Sequence, residues 1–228
     1  MAVSDEREGE QVTVLSESVV KQMPSIVFRG IVILPSKVLS RAVVIVEGER
    51  IAEVGVEREL KIPASAAIVD AGDGYISPGF VDIHEHGGAG FDYMDGTPEA
   101  VRDSNCAHAR HGTTTVFPTT TTGTPAQLAA MLDAVENIAQ FWHSEDGARI
   151  AGVHWYGPYF ASDKIGAHPK GFERNPDPAE YEPALARGII KTATCAAEIP
   201  GAVNFCRAAK NAGCLVTCGH SNASWPEM

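Results

Sequence analysis

The sequence lacks several things, and each absence removes a class of explanation. It has no C-x-x-C pair: the five cysteines, Cys106, Cys195, Cys206, Cys214 and Cys218, are an odd number and are spread out. That excludes a zinc ribbon and a disulfide scaffold, and predicts reduced thiols in a cytoplasmic protein. It has no excess of positive charge. Eighteen basic residues face 29 acidic ones, for a net charge of −11. A nucleic acid or an acidic membrane surface needs a basic face, so neither is an expected partner. A small anionic substrate stays possible, because a few local donors can hold a phosphate on an acidic protein. The opening MAVSDEREGEQV is polar and has no apolar core of the kind a secretory leader carries. No apolar run approaches the roughly 20 residues of a membrane span.

What remains is an ordinary globular composition, 44% hydrophobic and 21% charged over 228 residues. Residues 1–24 read as a flexible polar N-terminus. From Ser25 the chain turns rich in Val and Ile, broken by Gly, Pro and the charged Gly48-Glu49-Arg50 turn. This predicts three or four short antiparallel strands, with a hairpin at that turn, in a small β domain over residues 25–75.

After Gly74 strand and helix patterns alternate over residues 76–228. Strands are predicted over about 76–84, 113–119, 150–156, 189–196 and 214–220. Thr97-Pro98 opens a helix that ends at Gly112. Thr124-Pro125-Ala126-Gln127 is a capping box opening a second helix, to about Trp142. PAEYEPALARG and PGAVNFCRAAKNAG supply two more, and Ser224-Trp225-Pro226-Glu227 is spaced to start another. Such alternation means βα units on a parallel sheet. Five units fall short of a closed barrel, which takes roughly 250 residues. The predicted fold is therefore α/β: an incomplete (β/α)₈ TIM-type barrel beside a small N-terminal β-sandwich domain.

Polar groups gather where the predicted strands end, the face at which α/β sites are built. His84-Glu85-His86 ends the first strand; period two puts both imidazoles on one face and Glu85 on the other. Two such rings can reach one divalent cation, and the plain alternative is a pair of polar turn residues. His220 ends the fifth strand within CGHSNAS. His168 stands in the loop GAHPKG, where an exposed surface histidine is the simpler reading. GVHWYGPYF carries His154 and, at the last position before Gly157-Pro158, Tyr156.

Taken in order, PGFVDIHEHG, GTTTVFPT, GVHWYGPYF, GAHPKG, TCAAE and GHSNAS resemble the N-acetylglucosamine-6-phosphate deacetylases of the amidohydrolase superfamily. The resemblance covers roughly residues 25–228, and only the N-terminal portion of that family's length. It implies hydrolysis of an acetamide on an amino-sugar phosphate, by a cytoplasmic enzyme of amino-sugar metabolism that forms homo-oligomers. It implies a divalent metal ion, zinc before iron, manganese or cobalt. His220 would be a ligand, and His84 and His86 would contribute to a metal position. Ala167 and His168 would reach the substrate.

At the third strand the family pattern H-x-E-G-P has a glutamate as metal ligand, and here that position is Tyr156. A phenol with pKa near about 10 is a poor replacement for a carboxylate; it fills the space and hydrogen-bonds, or coordinates as phenolate. Glu85 faces away, and Lys191 stands at the wrong end of its strand to serve as a carbamylated bridge. The acid/base aspartate of the family is expected beyond Met228, so no catalytic residue is assigned in this chain. Two rival readings remain. One is a non-catalytic remnant or assembly partner of this fold. The other is a different amidohydrolase, dihydroorotase-like or adenine-deaminase-like, against which GAHPKG and GHSNAS argue.

Overall fold

The computed structural model describes residues 25–228, and the expected flexible N-terminus, residues 1–24, lies outside them. The chain divides after Pro78 into two compact units.

In the first unit, β1 (Ser25–Ile33), β2 (Val38–Glu47), β3 (Arg50–Val56) and β4 (Ala67–Ile76) form one sheet in the order β3-β2-β1-β4. The β2–β3 hairpin turns at Gly48, φ 59°, with Glu47 paired to Arg50. Only part of the antiparallel expectation holds: β4 runs parallel to β1. A parallel neighbour needs a connection that returns to the strand's starting end, and residues 57–66 make it, opening with a 3₁₀ turn at Glu57–Glu59. The described residues form a single four-stranded sheet here, not the two facing sheets of a sandwich. Both its faces are apolar: Val27, Val43 and Ile45 cluster on one, Val32, Ala42 and Val44 on the other.

The second unit opens with β5 (Phe80–Glu85), shorter than the expected strand. Ile76 pairs with Val32 in the first unit's sheet, and Pro78 separates the two strands. A two-rung hairpin, β6 (Gly87–Gly88) and β7 (Phe91–Asp92), leads to α1 (Pro98–Arg110) and β8 (Thr113–Pro118). Then come α2 (Pro125–Gln140), β9 (Arg149–Ile150), β10 (Val153–Tyr156), α3 (Pro178–Ala186), β11 (Ile190–Cys195), α4 (Ala202–Asn211) and β12 (Leu215–Cys218). All neighbouring long strands are parallel, in the orders β5-β8-β9 and β10-β11-β12. The single strand expected over 150–156 is split. β9 pairs with β8 and β10 with β11, and an isolated bridge from Thr119 to His154 joins the two halves. Gly152 marks the break; a Cβ there would lie 2.3 Å from Lys191 Cγ.

The helices start where their side chains satisfy free backbone donors. Thr97 accepts from the Ala100 N–H, Thr124 and Gln127 close a reciprocal capping box, and Asp177 accepts from Ala179. Helix α2 buries Leu128, Met131, Leu132, Val135 and Ile138, one stripe at helical spacing. They pack with Val116, Trp155, Ile190 and Phe205 between helices and sheet. At roughly 1.5–3 kcal/mol per large apolar side chain, this layer carries the unit. It fixes the strands whose ends bear the polar groups.

Candidate functional site

Alternation along β5 sends His84 and Glu85 to opposite sides. Glu85 is buried and turns to α1: Tyr93 donates its hydroxyl to it, His108 Nε2 lies 3.0 Å away, and the Gly87 N–H donates at 3.0 Å. Tyr93, fully buried, also bonds Asn105 at 2.8 Å, and the Gly88 N–H donates to Ser104. Burial lifts the Glu85 carboxyl above its usual range against the pull of these donors, and pushes the Tyr93 phenol far up. Glu85 is thus an anchor for the strand end, on the side away from the histidines.

On the other side the rings gather. His84 and His86 stand edge to face with centroids 4.9 Å apart. His84 Nδ1 is 3.1 Å from His154 Nδ1, which also reaches the Ile83 carbonyl at 3.2 Å. His154 Nε2 meets Thr194 Oγ1 at 2.7 Å, and Thr194 meets Thr217 at 2.6 Å, a hydrogen-bonded row across β10, β11 and β12. Burial, then the neighbouring His84, pulls the His154 pKa down to about 4; the same two kinds of cause, with His86 as the neighbour, lower His84.

Tyr156 is the hub of this cluster. Its ring centroid lies 4.4 Å from His84, 5.1 Å from His154, 5.2 Å from His220 and 5.6 Å from His168. Burial raises its pKa, so it is a neutral phenol. Gly219 makes room for it: a Cβ there would lie 3.5 Å from the Tyr156 hydroxyl and 2.9 Å from Thr194 Cγ2.

His220 does not end a strand, as expected; it stands beyond β12 in the left-handed conformation, φ 52°. Its ring stacks on Phe160 at 4.3 Å, and its Nδ1–H donates to the Lys164 carbonyl at 2.6 Å. Glu198 holds the following residues, accepting from Ser221 Oγ at 2.6 Å and from the Asn222 N–H at 2.5 Å. His168 is no surface histidine. Its ring packs on Phe160, His220 and His86, its Nδ1 is buried with no hydrogen-bond partner among the described residues, and burial followed by His220 takes its pKa to about 4. Ala167 beside it is exposed. Lys191 donates to the Gly188 carbonyl, at the far end of β11.

The structure therefore brings His84, His86, His168, His220 and Tyr156 together, and adds His154. Sequence reasoning missed Tyr93, Asn105 and His108 behind the strand. The one local signal was the run Gly87-Gly88: Gly87 has φ 149°, and a Cβ there would lie 2.1 Å from the Phe91 carbonyl oxygen.

A divalent cation suits this donor chemistry. His86 Nδ1–H donates to the Thr119 carbonyl at 3.2 Å and His220 Nδ1–H to Lys164, so each keeps its Nε2 lone pair for a ligand. The set is not gathered as it stands. Among the described residues no three His, Cys, Asp or Glu side chains are close enough to hold an ion. His84 spends its Nδ1 on His154, and the Tyr156 phenol stands between the rings.

No protein-family model matches the chain. Curated proteins do. The N-acetylgalactosamine-6-phosphate deacetylase of Escherichia coli O157:H7 is 34% identical over 169 residues, 73% of this chain and 44% of its own length. The N-acetylglucosamine-6-phosphate deacetylase of Bacillus subtilis (strain 168) is 30% identical over 195 residues, 84% of this chain and 49% of its own. The chain is a relative of the N-acetylglucosamine-6-phosphate deacetylases. It spans about half the length of these deacetylases. A solved mutant deacetylase from Mycobacterium smegmatis, in complex with N-acetyl-D-glucosamine-6-phosphate, superposes with a TM-score of 0.75 at 28% identity, over 90% of this chain and 52% of its own. No helix of the described residues is long and apolar enough to cross a membrane.

Proposed function

We propose that the chain forms the histidine-bearing part of an N-acetylglucosamine-6-phosphate deacetylase, a hydrolase of a linear amide on an amino-sugar phosphate. The relatives' names, the strand order and the ring cluster support this reading. On it, residues 79–228 are about five units of a (β/α)₈ barrel wall, and the N-terminal sheet is part of a sandwich. The observation that carries it is the state of His86 and His220. Both rings border Tyr156, and both have Nδ1 committed to a carbonyl, which leaves Nε2 as the nitrogen with a lone pair to offer.

Zinc, or in its place iron, manganese or cobalt, would be held by His86 and His220, with His84 once released from His154. A bound ion supplies an activated water and polarises the amide carbonyl. The chain's own residues do the rest of the positioning. His154 and His168 stay uncharged at neutral pH and add no repulsion to a cation. His168 and Ala167 face the substrate from their loop. Tyr156 contributes volume and a hydrogen bond in place of charge, and no residue of the chain is assigned as acid/base. All five cysteines are free thiols, as a reducing compartment leaves them, and we place the protein in the cytoplasm, in a homo-oligomer like that expected of the family.

The test is zinc content after dialysis of the full chain, alongside release of glucosamine-6-phosphate from the acetylated sugar. Near-stoichiometric zinc that falls in His86→Ala and His220→Ala supports the site. Less than about a tenth of an equivalent overturns it. A second reading, a non-catalytic member of the fold, is favoured by the phenol at the carboxylate position. Stoichiometric zinc in a chain to which N-acetylglucosamine-6-phosphate does not bind would select it.

A further inference from the structure

Strands β11 and β12 stay in register to their last residues, Cys195 beside Cys218, so the loops that follow leave the sheet side by side. Glu198, the last residue of the TCAAE string, stands in one loop, and His220 stands in the other. The Glu198 side chain bridges them. Its Oε2 accepts from Ser221 Oγ at 2.6 Å and its Oε1 from the Asn222 N–H at 2.5 Å. Ser221 Oγ in turn accepts from the Ala223 N–H at 2.9 Å. An ionised carboxylate has two oxygens and only accepts, so it can fix two consecutive residues at once.

The turn held in this way is tied to a third segment. Asn222 Nδ2 donates to Asp163 Oδ1 at 2.6 Å, the Ala161 N–H donates to the His220 carbonyl at 3.0 Å, and the His220 ring donates its Nδ1–H to the Lys164 carbonyl at 2.6 Å. His220 is the residue that most needs holding. Its φ of 52° is a left-handed conformation that residues with a Cβ rarely adopt, and one that surrounding contacts must sustain. Its bond to Lys164 decides which ring nitrogen carries the proton. An imidazole released from such a bond exchanges between its two tautomers.

We propose that Glu198 is a positioning residue for His220: by clamping Ser221 and Asn222 it keeps the imidazole on the Lys164 carbonyl, with Nε2 unprotonated. Glu198 itself touches no reacting group and acts through the turn. The consequence for a metal ion rests on the reading of His220 as a ligand, whereas the clamp is a property of the chain alone, and the two are measured separately.

The experiment uses the full chain without metal, labelled with ¹⁵N in its histidine rings, at about pH 8, where an ordinary imidazole is neutral. The His220 signals are identified by their loss in His220→Ala. Those of His86, whose Nδ1 is held by the Thr119 carbonyl instead, are the internal reference. In wild type the two His220 nitrogens should give well-separated signals, one protonated and one not. In Glu198→Ala they should converge as the tautomers mix, with His86 unmoved. Ser221→Ala breaks one of the two carboxylate bonds and should show a smaller convergence. Glu198→Gln keeps an oxygen for the Asn222 N–H and should fall nearer to wild type than Glu198→Ala. Zinc titration of the same proteins follows, and Glu198→Ala should bind roughly tenfold more weakly than wild type. The proposal is overturned if the His220 signals of Glu198→Ala and Ser221→Ala match wild type, or if His86 shifts as much as His220. It is equally overturned if Glu198→Gln is as disturbed as Glu198→Ala, or if Glu198→Ala binds zinc as tightly as wild type. A wild-type chain that takes up no zinc sinks the reading of His220 as a ligand, and the ring signals still decide the clamp.

Discussion

Removing the Tyr93 hydroxyl isolates the part of the fold that holds the H-x-H strand end in place. In Tyr93→Phe the ring stays and keeps its packing, since Tyr93 is fully buried among apolar neighbours. Two hydrogen bonds go: one to the Glu85 carboxylate and one to the Asn105 side chain at 2.8 Å. Glu85 keeps His108 Nε2 and the Gly87 N–H, so the carboxylate is weakened but not stranded. A bond to a charged group is worth about 1.5–3 kcal/mol and a neutral one about 1 kcal/mol, and part of each is recovered by relaxation. The net loss expected is about 2–3 kcal/mol. For a chain of this size each 1 kcal/mol moves the melting temperature by about 2–4 °C, which makes the expected drop roughly 5–10 °C. Circular dichroism at neutral pH on wild type and variant reads it. A variant that melts within about 1 °C of wild type refutes the reasoning, because a buried, doubly bonded hydroxyl cannot be removed at no cost.

Tyr156→Glu should raise zinc affinity by roughly tenfold or more in equilibrium dialysis, because it puts a carboxylate at the hub of the imidazole cluster; an unchanged affinity would mean that Tyr156 does not face the ion. Arg102 donates to Asp146 at 2.6 Å and holds its carboxyl below the usual range. A depressed folded pKa gives stability that is present above the unfolded value and is lost as pH falls through the folded one. Asp146→Asn should therefore lower the melting temperature at neutral pH, and the gap to wild type should close below about pH 4. Gly147 has φ 82°, and a Cβ there would lie 2.4 Å from the Cys106 backbone nitrogen. Gly147→Ala should cost about 3 kcal/mol in urea unfolding, since the clash is with backbone and the conformation is strained.

What was legible beforehand followed the range of the forces involved. Thr97 and Thr124 could be read as caps because a cap is a matter of three or four residues, and both close as expected. The alternation of strand and helix is likewise local, and it positioned His84, His86 and Tyr156 at strand ends. The direction of β4 was not legible, because a parallel partner depends on where residues 57–66 return the chain. Nor was the break at Gly152, which answers to a side chain on β11 some forty residues later. His168 shows the limit most clearly. Its loop spelling suits an exposed residue, and only Phe160 and His220, brought in from either side, bury its ring. The Glu85 anchor was half visible: alternation turned it away from the histidines, but nothing local named Tyr93 or His108 as what it turned towards.

The two strand triplets of the second unit share a single ladder bridge, Thr119 to His154, reinforced by the Thr120 N–H to the His154 carbonyl at 3.1 Å and the Tyr156 N–H to Thr120 Oγ1 at 2.8 Å, where other neighbours share a longer ladder. A wall so briefly laced opens along that seam first, and the lacing runs through His154 and Tyr156 of the ring cluster. Amides on either side of it should trade their hydrogens for deuterium ahead of those in β11. The His84–His154 contact, Nδ1 to Nδ1 at 3.1 Å, lies across the same seam, so a ligand that draws His84 away from His154 also loosens the join between the two panels.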